Sequence, residues 1–188
     1  MAFNLPAGKI SRVTLGGGIL RVNAWPGATP TAANDVGFCR EATLALTRTK
    51  LELLQGVPKT FITVYSVQES AVLGIKGLQW DTARLADLLG TGNLTANQPP
   101  GGSRLGFGGD IAFDFVNVQL VHQFPLGQTL TVNFWKAVGG GELNQTLGDD
   151  FHEFQYQFTA VNAATDWSNQ TLAADSQLCA IDLMGTFT

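Results

Sequence analysis

Apolar and polar residues alternate one by one along most of this chain, and a repeat of two confines it to β-sheet, because successive strand side chains point to opposite faces. Ala42, Leu44 and Leu46 stand against Thr43, Ala45 and Thr47, and the pattern runs on to Leu51 and Leu53. That predicts one long strand from Gly37 to Leu54. After turn residues Gly56-Val57-Pro58-Lys59, Phe61, Thr63, Tyr65 and Val67 alternate with Ile62, Val64 and Ser66 in a β-branched and aromatic run. Another strand is expected from Ala71 to Trp80. Ile10 to Ala24 alternates about Gly16-Gly17-Gly18 and reads as strand, tight turn, strand. Further on, Ile111 to His122 and Leu130 to Trp135 flank the turn Pro125-Leu126-Gly127-Gln128, which predicts a hairpin with one apolar face. Phe151 to Phe158 and Leu178 to Phe187 supply the last strands.

One segment breaks the period. In Asp81 to Gly90, Leu85, Leu88 and Leu89 fall at i, i+3 and i+4, Asp81 can cap the free N–H groups, and Gly90 can take the left-handed exit. A short amphipathic helix that lays its leucine face on the sheet is expected there. Pro, Gly and polar residues concentrate near 93–109 and 137–150, which are predicted to be long loops. At 188 residues, 1–188 is expected to form a single domain with its own core.

Charge is the anomaly of the composition. Asp, Glu, Lys and Arg make up 14% of the chain, against roughly 25% in ordinary soluble proteins. Asn, Gln, Thr, Ser and 22 glycines take their place, which suits a surface given over to contacts with copies of the same chain, since interface cores are depleted in charge. The net charge of −4 and the absence of a basic run argue against phosphate-neutralising nucleic-acid binding. Cys39 and Cys179 are 140 positions apart with no second Cys or His near either, which excludes a zinc ribbon or CxxC pair and favours two packed thiols. A charged start followed by an apolar stretch is lacking, as is any run of membrane-spanning length, so the expectation is a chain made in a cytoplasm.

Chemistry-bearing clusters are few. Asp149-Asp150-Phe151-His152-Glu153 is the densest, but it sits where a glycine-rich loop enters a strand and reads as a solvated loop end. Asp110 and Asp114 lie four strand residues apart, about 13 Å, too far for the roughly 5–9.5 Å of a glycosidase pair. His122 and His152 are the two histidines, and neither has a nucleophile context such as G-x-S-x-G. Gly106-Phe107-Gly108-Gly109 lacks the Lys-Ser or Lys-Thr of a phosphate loop. Trp80, Trp135 and Trp167 could line a sugar-binding face, although rings on alternating strands more often anchor cores or interfaces. An enzyme is not expected, nor any cofactor or metal.

In order, Gly37-Phe38-Cys39 opens a Thr-rich strand, Gly56-Val57-Pro58-Lys59 introduces the next, Glu69-Ser70-Ala71-Val72 leads an apolar strand, and Leu85-Ala86-Asp87-Leu88-Leu89-Gly90 follows. With the later run Phe154 to Val161, this arrangement resembles the tail tube proteins of long-tailed bacteriophages over about residues 37–183. The resemblance implies a mainly β fold, a β-sandwich or split barrel with one short flanking helix, whose sheets join between subunits into a larger β-barrel. It further implies six subunits per ring, rings stacked into a tube, a place in the virion tail, and partners such as the tape measure and tail terminator proteins. DNA would pass through without specific binding, and no membrane is involved. Val57, Pro58, Lys59, Leu85, Leu88 and Leu89 are the candidate subunit-interface residues. A capsid decoration or head–tail connector protein, or a carbohydrate-binding β-sandwich, are the alternatives.

Overall fold

The computed structural model describes residues 17–77, 88, 94–96, 101–105, 114–124, 127–145 and 154–185. The protein is mainly β. Its strands are β1 (Gly18–Ala24), β2 (Asp35–Gln55), β3 (Thr60–Gly77), β4 (Leu94–Ala96), β5 (Ser103–Leu105), β6 (Val116–Gln123), β7 (Thr129–Gln145), β8 (Phe154–Ala160) and β9 (Ala180–Met184). Seven of them form one antiparallel sheet in the order β6-β1-β2-β3-β8-β7-β9, and β4 pairs with β5 apart from it.

The sheet closes on itself. Strand β7 pairs with β8 through Ala137–Gln145 and also with β6 through Thr129–Ala137, so the path β6-β1-β2-β3-β8-β7 returns to its start. A barrel of one sheet therefore replaces the two-sheet sandwich that was one of the expectations. Closure satisfies the backbone edges that an open sheet would leave unpaired. Strand β9 lies outside this circuit and, among the described residues, joins β7 alone, with Leu130 opposite Leu183 and Val132 opposite Ile181.

Alternation decides what fills the barrel. Leu20 and Val22 of β1, Leu73 and Ile75 of β3, Val118 of β6, Phe134 of β7 and Phe158 of β8 are buried together, while their neighbours in sequence face outward. On the outside, side-chain hydrogen bonds link five strands in one row. Arg21 Nε donates to Asp35 Oδ1 at 2.7 Å and Arg21 Nη1 to Gln119 Oε1 at 3.3 Å. Gln119 Nε2 donates to Asn133 Oδ1 at 3.0 Å, and Asn133 Nδ2 to Asp182 Oδ2 at 2.6 Å. The row holds β9 to the barrel wall.

Three expectations need correction. Ala71 does not open a new strand; β3 is continuous from Thr60 to Gly77, because Ala71 pairs opposite Leu46 within a run of β2 pairs that is unshifted from Glu41 to Thr49. The expected loop at 93–109 contains the β4–β5 hairpin, with Leu94 opposite Leu105 and Gly101 at φ +81° between the strands. The expected loop at 137–150 is strand as far as Gln145. Gly139 answers to packing: a Cβ there would collide with the Leu88 carbonyl and the Tyr156 ring, so glycine lets another segment cross the strand closely. Of the expected helix at 81–90, Leu88 alone falls within the described residues, where its backbone is helical. The first part of the expected strand pair, 10–16, also lies outside them.

Candidate functional site

Strands β2 and β3 outrun the barrel. β1 pairs with β2 over Asp35–Cys39, and β8 pairs with β3 over Val72–Gly77. Across residues 45–70 the two strands pair with each other and, among the described residues, with nothing else. Eleven strand residues on one side, 45–55, make an arm about 35 Å long at about 3.4 Å per residue. A two-stranded hairpin standing alone is marginal in water.

The arm is also apolar where it should be wet. Of the fifteen exposed large hydrophobic side chains among the described residues, ten lie between Leu46 and Val67 and three more, Ile181, Leu183 and Met184, lie on β9. Scattered single apolar residues are ordinary on surfaces, but a contiguous patch marks an interaction site. Pairing register sorts the arm into two faces. Leu51 is opposite Tyr65 and Leu53 opposite Thr63 on one; Arg48, Lys50, Glu52 and Leu54 occupy the other. On that second face Arg48 pairs with Glu69 at 2.7 Å and Lys50 with Glu52 at 3.1 Å. The charges answer one another within the arm and leave its leucines uncovered.

At the tip, Gly56 takes φ +97°, which an L side chain rarely adopts, and the Val57–Pro58 peptide bond is cis. Val57, Pro58 and Lys59 are all exposed, Val57 completely so at 103%. The other trio of candidate interface residues fares differently. Leu88 is fully buried in the barrel core, so it has no surface to offer a neighbour, and Leu85 and Leu89 lie outside the described residues. Leu88 is corrected from interface to core, because a side chain enclosed by its own chain has no surface left for a neighbour.

Among the described residues, the remaining candidates do not converge on a reaction centre. Asp110, His152 and its acidic neighbours, Trp80 and the Gly106–Gly109 segment lie outside the described residues, and Asp114 is exposed. Among the described residues no group of three His, Cys, Asp or Glu could hold a metal. His122 is buried; its Nδ1 contacts the Gly17 carbonyl and its ring packs edge-on against Phe124, while Nε2 meets no hydrogen-bond partner among the described residues. Cys39 and Cys179 are free, the first buried and the second half-buried. Burial pushes the Cys39 thiol up to about 12 and raises Cys179 as well. Neither is an activated nucleophile.

Two tryptophans do meet. Trp135 and Trp167 rings stand edge to face with centroids 4.8 Å apart, and Trp135 Nε1 donates to the Ser176 carbonyl at 2.8 Å. With Trp25, Pro26, Asp166 and Asn169 they line a cleft of about 280 Å³. Trp25, which sequence patterning did not single out, is 40% exposed and lies under the Lys136 ammonium, 4.3 Å from the ring centroid. Patterning also missed β9 as an exposed edge. Its signal was faint: Ile181, Leu183 and Met184 fall on both strand faces, which a strand with one covered side does not do.

No model of a known protein family matches the chain, and no curated protein matches it.

Proposed function

We propose that this protein is a structural subunit that assembles with copies of itself into stacked hexameric rings, forming the tail tube of a long-tailed bacteriophage through which DNA is ejected. The observation that carries this reading is the arm: a ribbon about 35 Å long, with exposed apolar side chains on both faces and open along both edges among the described residues, projecting from a barrel that is otherwise closed. Such a ribbon favours being covered, and a contact between two different patches of identical chains repeats, closing as a ring or extending as a filament. Low charge and the order of segments over 37–183 support the same reading. The net charge of −4 suits a conduit, since like charge keeps phosphates sliding and not sticking.

Negative-stain microscopy of purified protein at high concentration tests it. Rings or tubes of uniform diameter are the expected result, and a chain that stays monomeric throughout would dismiss the reading. Attachment to empty capsids and not to tail tips would favour a decoration or connector protein instead.

The saccharide-binding alternative has one observation of its own, the cleft between Trp25, Trp135 and Trp167. Indole faces stack on the apolar faces of pyranose rings. Glycan-array binding that disappears in Trp25→Ala would establish it.

A further inference from the structure

Two edges that are unpaired among the described residues carry complementary chemistry. The first belongs to β2 in the arm. Both irregularities of the arm ladder fall on β3, where Val67 and Ile62 are the extra residues, since Thr49 and Lys50 pair with Gln68 and Ser66, and Leu53 and Leu54 with Thr63 and Phe61. A bulged strand is bent and its hydrogen-bonding edge interrupted. Strand β2 has no extra residue from Glu41 to Gln55, so its outer edge is the regular one.

The second edge belongs to β9. It pairs with β7 on one side and, among the described residues, with nothing on the other. Ile181 and Leu183 are about half exposed. Asp182, between them, carries the only charge of the strand, and one of its oxygens, Oδ2, accepts from Asn133.

Resting on the reading of self-assembly, we propose that the free edge of β9 in one copy adds antiparallel to the outer edge of β2 in the arm of a second copy, with Lys50 opposite Asp182. Every pairing in the sheet is antiparallel, and that geometry is slightly the more stable. In this register Leu51 falls opposite Ile181 and Thr49 opposite Leu183 on one face, while Lys50 meets Asp182 on the other. A shift of two residues in one direction would set Glu52 against Asp182, and like charges directly opposite each other are destabilising. A shift in the other direction would set Arg48 against Asp182 but leave Ile181 and Leu183 opposite Thr49 and Thr47, without the Leu51–Ile181 contact. The contact joins two different patches, so each copy offers one edge and accepts another, and the chain of contacts propagates.

Mixed cross-linking tests the register. One population carries Leu51→Cys and the other Ile181→Cys, both with Cys179→Ser to remove the neighbouring thiol; directly opposite residues bring Cβ atoms about 4.5–5.5 Å apart, near the span of a disulfide. Mild oxidation is expected to give covalent dimers in the mixture and not in either population alone. Lys50→Glu is expected to slow assembly followed by light scattering, and Lys50→Arg, which keeps the charge, to leave it unchanged. Rings that form while the mixture yields no covalent dimer would overturn the edge pairing and leave the tube reading standing. A chain monomeric at every concentration would overturn both.

Discussion

Asn133 Nδ2 lies 2.6 Å from Asp182 Oδ2, and this charge-assisted hydrogen bond ties the outermost strand to the barrel wall. Asn133 is buried, so its amide has little water to turn to if the carboxylate leaves.

Replacing Asp182 with Ala is therefore expected to destabilise the chain by about 1–3 kcal/mol, the usual penalty for a buried polar group left unpaired. Asp182→Asn, which retains an acceptor oxygen, costs less. Urea unfolding of the three proteins measures the order; equal stability of Asp182→Ala and the parent would show that β9 is held by its backbone ladder alone.

Core and arm respond differently to mutation. Phe158 is fully buried and its ring lies 5.4 Å, centroid to centroid, from that of Tyr156. Phe158→Ala is expected to cost about 3–5 kcal/mol by opening a cavity.

Leu51→Asp and Leu53→Asp, by contrast, touch side chains that are 62% and 49% exposed. Their effect on the unfolding of the isolated chain is expected to stay within about 0.5 kcal/mol, while assembly is abolished. Thermal unfolding and sedimentation of one sample separate the two, and a large loss of stability without loss of assembly would place the arm in the core's service.

Alkaline pH is expected to weaken the fold. Burial raises Cys39 from 9.0 and Tyr156 from 10.0, each to about 12. Unfolding exposes both groups to water, where they ionise at their ordinary values. The unfolded chain thus releases protons before the folded one does, so stability is full below about pH 9 and falls as pH rises towards 12. Unfolding midpoints measured across that window check the direction, with Cys39→Ala expected to flatten part of the slope. At the acid end, the hydrogen bond and charge of Lys76 hold the Glu41 carboxyl below its usual range. That contribution is present at neutral pH and disappears as pH falls through the lowered value; both groups are exposed, so it is small.

Gly139→Ala is expected to be destabilising despite its open-looking sequence context, because the Leu88 carbonyl and the Tyr156 ring occupy the space of the new methyl group. Overpacking of this kind typically costs about 1–3 kcal/mol. A silent substitution in thermal unfolding would mean that the Leu88 segment moves aside.

Period-two patterning by itself determined that the chain is β, and it located most strand positions, because burial on one face writes itself into every second residue. Phe154, Tyr156 and Phe158 could be assigned to one face without coordinates, and all three are buried. The exposed turn Val57-Pro58-Lys59 was equally legible, since turn residues carry their conformational preference locally. What only the tertiary structure decided depends on residues distant in sequence. Whether the Gly139-Gly140-Gly141 run bends into a loop or lets another segment cross a strand depends on Leu88, some fifty positions earlier. Whether alternating strands stack as two sheets or close as one barrel depends on β7 meeting both β6 and β8. The leucines of Asp81–Gly90 and those of the arm look alike in sequence, yet Leu88 is enclosed and Leu51 is not. Hydrophobicity states that a side chain favours leaving water; whether its own chain or another supplies the cover is settled by where the backbone carries it.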